Sequence, residues 1–336
     1  MKKIFGLTLL IFTLSFQMVF AKTEIIEASG SYAMDLKVDE TFATATNRAR
    51  EEAKRAATEK AGVYLQSYSK MIDLEIDYDE VKTVAAQLLK IQDEKISSKN
   101  LDGGLIEITV TIKALVEDNN DEILKTIMSD KQSLEEATER YKNLQQEYDN
   151  LKKQMEQLKQ GYNSASYSEQ IEIKKSVAQN NKYFDALLAL EQGNNSYFVK
   201  QYQKAIESYT TAINLNPNFA EAYNNRGNAY IQLQNYQQAT QDLQNAVRLN
   251  NSDARIHNNL GGLYLLQRNY SSAISEYTMA INLNPNLFTA YYNRAGAYCS
   301  LGQFQQALPD VQRAMALNPS DTDAQNLYRQ IQSRLR

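Results

Sequence analysis

The sequence predicts a multi-domain chain: a small α+β domain at the N-terminus, a coiled-coil or long helical linker, and an all-α repeat solenoid at the C-terminus. Three observations carry that prediction. Residues 104–116, "GLIEITVTIKALV", alternate apolar with polar residues; residues 134–162 place apolar residues at heptad spacing; and from residue 184 onward the same columns return every 34 residues.

With 336 residues, 43% of them hydrophobic, the chain can bury more than one core. Its formal charge is −4, and the acidic excess lies before Asp185. No strongly basic region exists to neutralise phosphates, which argues against a nucleic-acid partner.

The start, "MKKIFGLTLLIFTLSFQMVFAKTE", sets Lys2 and Lys3 before an apolar run and small residues at Val19 and Ala21. That order reads as a secretory signal over 1–21, cleaved after Ala21, with an uncleaved anchor as the competing reading. No later stretch is apolar enough to cross a membrane. The mature chain would then be exported, with the periplasm preferred and the extracellular space as the alternative. The single Cys, Cys299, leaves no internal disulfide to stabilise an exported protein, so packing must do so.

Residues 22–118 mix strand and helix. Ile106, Ile108, Val110 and Ile112 share one face of the late strand, opposite Glu107, Thr109, Thr111 and Lys113. "KIQDEKISS" is the first arm of a hairpin, and the turn "KNLDGG" supplies glycines for positive φ. "IIEASGSYAM" is an earlier strand. Between them, the Ala-rich segment 40–70 predicts one long helix across the sheet and "DEVKTVAAQLLK" a shorter one. The "EASG" strand, the "RAREEAKRAATEKAGVYLQS" helix and the "GGLIEITVTIKALV" arm together resemble the N-terminal domain of flagellar assembly protein T. That resemblance implies a small envelope protein-interaction domain and no catalytic signature.

Residues 119–183 form the predicted coil and helical linker. Leu134, Tyr141, Tyr148, Met155 and Tyr162 take one seam position, and Ala137, Leu144, Leu151 and Leu158 the other. Two partners suit such a helix. Glu147 and Lys152 stand where a parallel second copy could form an interchain ion pair, giving a homo-oligomer through residues 134–162. Alternatively the loop "GYNSAS" turns the chain back and lays "EQIEIKKSVAQNNKYF" against the first helix.

Residues 184–320 hold four predicted helix pairs. Tyr202, Tyr236, Tyr270 and Phe304 keep the 34-residue step, as do the alanines 205, 239, 273 and 307 and the alanines 212, 246, 280 and 314. A small residue recurs at Gly193, Gly227, Gly261 and Ala295, and units end at Pro217, Asn251, Pro285 and Pro319. These columns resemble the tetratricopeptide repeat. Small residues let paired helices approach, an aromatic plugs the gap, and Pro stops the second helix. One pair cannot cover its own apolar face, so units must stack, with residues 321–336 as a polar capping helix begun by Asp321 or Thr322. Three departures stand out: Asn251 replaces a terminal Pro, Arg226 and Arg294 occupy a Leu column, and Pro309 falls inside a helix, where it should bend the last repeat without breaking it.

The resemblance implies that the first helix of each pair lines a concave groove. The matching residues here are Asn194, Asn224, Asn225, Asn228, Gln232, Arg255, Asn258, Asn259, Tyr292 and Asn293. An amide both donates and accepts, so a row of them suits the backbone of an extended peptide. Against this, Asn is also a common soluble surface residue with no partner. Asn194, Asn225 and Arg255 match three of the five carboxylate-clamp positions of chaperone-binding relatives, while Leu190 and Asn259 do not.

Catalytic chemistry has little material. His257 and Cys299 are the only residues of their types, and each falls in a packing column. No metal, cofactor or phosphate-binding motif is present. These observations predict a non-enzymatic, exported adaptor of the bacterial cell envelope that holds a peptide segment in its repeats. The alternative is a structural envelope protein self-assembling through its coil; an enzyme using a carboxylate pair ranks last, since no pair is set apart by its surroundings.

Overall fold

The structure, a computed structural model, describes residues 24–71, 78–116 and 131–336. The segment 1–21 read as a signal lies outside them. The chain divides into two compact units, Met1–Asn181 and Lys182–Arg336.

In the first unit, β1 (Glu24–Asp35), β2 (Leu89–Leu101) and β3 (Leu105–Val116) form an antiparallel sheet in the order β1-β3-β2. The β2–β3 connection is the expected glycine turn, with φ of 79° at Gly103 and 84° at Gly104. Alternation along β3 decides its facing: Ile108, Val110 and Ile112 are fully buried. On the opposite face Thr109 and Thr111 make hydroxyl hydrogen bonds to Ser31 and Ser29, at 2.8 and 2.7 Å.

Helix α1 (Phe42–Met71) crosses the buried face. It meets the sheet through Ala45, Ala49, Ala53, Ala57 and Ala61, an i, i+4 stripe of side chains with no exposure at all. Each buried methyl contributes about 0.8 kcal/mol. The contact is so close that a Cβ on Gly30 would lie 2.2 Å from the Ala53 nitrogen, so the strand needs glycine there. Helix α2 (Tyr78–Leu88) packs beside α1 through Val81, Val84 and Ala85.

The heptad segment is helix α3 (Lys131–Tyr162), followed by a short turn and helix α4 (Tyr167–Phe198). Of the two partners open to the sequence, the chain itself is the one observed. Met155 and Val177 pack together with Val38, joined by Leu158, Tyr162 and Ile173. Ser166 donates its N–H and its hydroxyl to the Glu169 carboxylate, at 2.7 and 2.6 Å, closing the start of α4. Along its other flank α3 is fastened to α1 and α2 by Arg55–Asp149, Lys152–Glu52 and Lys142–Asp79, each 2.8 Å. Lys152, expected to serve a second copy, therefore pairs within the chain.

A buried polar knot holds the C-terminal end of α3. Lys159 Nζ lies 2.6 Å from Glu40 Oε2 and donates to the Ala33 carbonyl at 2.9 Å and the Tyr32 hydroxyl oxygen at 2.8 Å. Tyr32 donates to Glu40 Oε1 at 2.7 Å, and the Asp35 N–H to Glu40 Oε2 at 2.9 Å. The Glu40 side chain has no exposure, so these donors replace its lost hydration. Burial lowers the Lys159 pKa and raises that of Tyr32.

The second unit contains the end of α4 and eight further helices, α5 (Tyr202–Leu215), α6 (Ala220–Gln232), α7 (Tyr236–Leu249), α8 (Ala254–Leu266), α9 (Tyr270–Leu283), α10 (Phe288–Ser300), α11 (Phe304–Leu317) and α12 (Thr322–Leu335). Helix α12 opens as expected: the Asp321 carboxylate caps it by accepting from the Ala324 N–H at 2.7 Å. Helix α11 runs unbroken through Pro309, at the same 14-residue length as α5, α7 and α9. Each turn within a pair reverses through a left-handed residue at one column: Lys200, Gln234, Arg268 and Gly302, with φ of 58°, 58°, 59° and 71°.

Candidate functional site

The geometry of the repeats follows from the small-residue column. Tyr209 lies flat on Gly193, where a Cβ would come within 2.4 Å of the ring; Tyr277 covers Gly261 and Leu243 covers Gly227 in the same way. Where the small residue is Ala295, the residue opposite shrinks to the buried Val311. The two columns trade volume so that each pair keeps its spacing.

The first helices of successive pairs, α6 with α8, α8 with α10 and α10 with α12, approach one another more closely than successive second helices do. The array therefore curves with its first helices inward, and α6, α8 and α10 are the helices that carry the predicted groove residues from Asn224 to Asn293.

The structure separates those residues into two groups. Asn224 and Asn225 are buried, at 8% and 7% exposure, and spend their amides on one another. Asn259 Nδ2 donates to Asn224 Oδ1 at 2.9 Å, Asn224 Nδ2 to Asn225 Oδ1 at 3.0 Å, and Asn225 Nδ2 to Asn194 Oδ1 at 2.9 Å, where the Tyr209 hydroxyl also donates at 2.9 Å. The expectation of a row of open amides is thus corrected for these positions: the four form a ladder across three repeats, because buried amides must satisfy one another. Gln232 and Arg255 are exposed, and Asn228, Asn258, Tyr292 and Asn293 are half-buried. The Arg255 guanidinium folds back onto Asp253, with Nη2 to Oδ2 at 2.7 Å and Nε to Oδ1 at 3.1 Å, which holds the Asp253 carboxyl below its ordinary pKa despite its burial. Tyr292 stacks on Phe288, ring centroids 6.0 Å apart.

The two arginines of the Leu column are internal struts. Arg226 donates through Nε and Nη2 to both oxygens of Asp242, at 2.7 and 2.8 Å, and through Nη1 to Thr210 at 2.9 Å. Arg294 repeats the pattern with Asp310 and Thr278. In the repeat between them Leu260 occupies the column, and the acid, Glu276, turns instead to His257 Nδ1 at 2.7 Å, while the other ring nitrogen faces the Asn251 carbonyl at 3.2 Å. His257 is accordingly buried between helices, as its column predicts. Cys299 is packed beside Ala295, and burial raises its thiol pKa, the opposite of an activated nucleophile. Sequence reasoning missed the struts; the joint recurrence of Arg226 with Asp242 and of Arg294 with Asp310, two repeats apart, was the available signal.

Among the described residues, no group of three or more His, Cys, Asp or Glu could hold a metal ion, and no helix is long and apolar enough to cross a membrane.

Family models described as "TPR repeat" match residues 200–234 and 227–268, and models described as "Tetratricopeptide repeat" match 254–287 and 288–321. Translocon at the outer membrane of chloroplasts 64 from Pisum sativum is 50% identical over 48 residues, 14% of this chain. The match spans only 8% of that relative's length. Among solved structures, the first TPR domain of human RPAP3 is 24% identical, with a TM-score of 0.34, covering 35% of this chain and 94% of that one. MamA is 19% identical, with a TM-score of 0.39, over 45% of this chain and 88% of its own. PilF of Pseudomonas aeruginosa is 16% identical, with a TM-score of 0.44, over 46% and 70%. Residues 200–321 of this chain are tetratricopeptide repeats, a module for protein–protein interaction.

Proposed function

We propose that this protein is an exported adaptor or scaffold of the bacterial cell envelope, and that its repeats hold an extended peptide segment of another protein on their inner face. The observation that supports this most is the make-up of that face. Gln232 and Arg255 are exposed and Asn258, Tyr292 and Asn293 partly so, on helices whose backbone the amide ladder and the Arg–Asp struts fix beforehand. Pre-set polar groups on a rigid curve suit a backbone-rich ligand, because little further ordering is needed on binding.

The envelope assignment rests on the N-terminal reading: the signal-like segment 1–21 and the resemblance of residues 22–118 to the flagellar assembly protein T N-terminal domain. In this reading the sheet domain docks at one place and the α3–α4 hairpin braces it. Self-assembly through the heptads is the weaker reading, because the seam residues Leu144, Tyr148, Leu151 and Met155 are already buried within the chain.

The test is affinity capture from a native envelope fraction with the full chain, beside a variant carrying Gln232→Ala, Arg255→Ala and Asn293→Ala. These three positions lie outside the ladder, so the fold is kept. A partner held by the parent and lost by the variant supports the groove; identical captures, or capture of more copies of the chain alone, would reject it.

A further inference from the structure

The two outer strands of the sheet are finished differently. Along β1, backbone groups an even number of residues apart, the set that points away from β3, are taken up by side chains. Lys60 Nζ donates to the Glu27 carbonyl at 2.6 Å, Lys159 Nζ to the Ala33 carbonyl at 2.9 Å, and Glu40 Oε2 accepts from the Asp35 N–H at 2.9 Å. Strand β2 has no such cover. From Ile91 to Leu101, the side-chain bond to its backbone among the described residues is a local one, the Asp93 carboxylate accepting from the Glu94 N–H at 2.9 Å. Helix α1 lies over β1 and β3, and every β2 residue from Lys95 to Asn100 is exposed. Ile96 is 47% exposed although it stands opposite the buried Val110, on the helix side of the sheet.

An open strand edge accepts another strand, and the charges on this one select which. On the face away from α1, Asp93 stands opposite Lys113 of β3 and Lys99 opposite Glu107. Lys113 in turn stands opposite Glu27 of β1, with 3.9 Å between Nζ and Oε2. We propose that β2 pairs antiparallel with β2 of a second copy of this chain, about a twofold axis at Ile96. In that register Asp93 faces the second copy's Lys99, and Lys99 faces its Asp93. A row of alternating charge then crosses the joined sheet: Glu27, Lys113 and Asp93, followed by the second copy's Lys99 and Glu107. Lys95 meets Ser97, Glu94 meets Ser98, and the two exposed Ile96 side chains cover one another. Moving the axis one residue either way sets Lys95 against the second copy's Lys99 or its Lys95. The register shift between Ile91 and Asp93 ends the regular edge where the pairing ends. A strand paired with its own copy closes at two chains, whereas β2 joined to β1 would grow without end along an edge already occupied.

Sedimentation velocity on the full chain, from about 10 μM to about 1 mM, should show monomer giving way to dimer, as expected of a contact smaller than a standard interface. Asp93→Lys and Lys99→Asp each set like charges face to face twice in the contact, and each should weaken self-association about tenfold or more. An equimolar mixture of the two variants restores both opposite-charge pairs and should form a heterodimer about as tightly as the parent pairs with itself. Ile96→Lys, which puts two ammonium groups together on the axis, should be monomeric with the parent's circular dichroism. A parent that stays monomeric to the top of that range, growth beyond the dimer, dimerisation indifferent to the single charge changes, or two variants that fail to pair when mixed would each overturn the proposal. None of these outcomes bears on peptide capture by the repeats.

Discussion

Arg226 grips Asp242 along both carboxylate oxygens, at 2.7 and 2.8 Å, from a side chain only 16% exposed. Because the Asp242 side chain is 6% exposed, the pair acts as a unit in the interior between α6 and α7. Removing one partner leaves an uncompensated buried charge. Arg226→Leu alone should destabilise the second unit by about 3–5 kcal/mol. Arg226→Leu with Asp242→Leu should recover most of that loss, since an apolar pair of similar volume replaces the ions. Urea denaturation of the single and double variants measures both.

Gly30 carries the contact between β1 and α1, where even a methyl would fall inside the α1 backbone. Gly30→Ala must push the helix off the Ala45–Ala61 stripe, at a cost of about 3 kcal/mol, in the upper range for overpacking. Ala substituted at Gly161, which has nothing within 4 Å, should instead be neutral or slightly stabilising. Thermal melts of the two variants should move in these different ways.

The left-handed column makes a prediction about turns. Gln234 and Arg268 hold φ near 58° with a Cβ present, and Gly302 holds the same place without one. Arg268→Gly should therefore change stability by no more than about 1 kcal/mol, with strain relief offsetting the added freedom of the unfolded chain. Gly302→Val, a β-branched residue forced into the same region, should cost more than 1 kcal/mol, on the order of the left-handed penalty. Chemical denaturation of both variants checks the contrast.

Acid should loosen the sheet domain through Glu94. Arg50 donates to both its oxygens at 2.7 Å and holds its pKa below the ordinary 4.5. The unfolded chain then binds the proton more tightly than the folded one. The contribution is present above about pH 4.5 and is lost as the pH falls through the lower folded value. Circular dichroism over pH 7 to 2 should show the parent losing stability only in the acid limb, and Glu94→Gln should flatten that limb.

Regular features of the fold were legible because each has a period. The 34-residue columns placed every helix of the repeats, the alternation from Ile106 to Ile112 placed β3, and "DGG" placed its turn. Partner identity was not, because a heptad states only that a seam is covered. Val177 covers Met155 from the next helix, and the partners of Lys152 and Asp149 on the other flank of α3 lie about a hundred residues away, at Glu52 and Arg55. Lys159 and Glu40 look like solvated charges until the fold buries them together. The asparagines of the first helices show the same limit: Asn224 and Asn258 are identical in type and column, yet one is a rung of the ladder and the other has a buried side-chain oxygen with no hydrogen-bond partner.

Site-specific photo-crosslinking in living cells tests the central claim most directly. A benzophenone amino acid at Asn293, on inner helix α10, should crosslink one partner protein, and the same group at Met279, 44% exposed on second helix α9, should not. Crosslinks from both positions alike, or from neither while the protein is present and folded, would contradict peptide capture by the inner face.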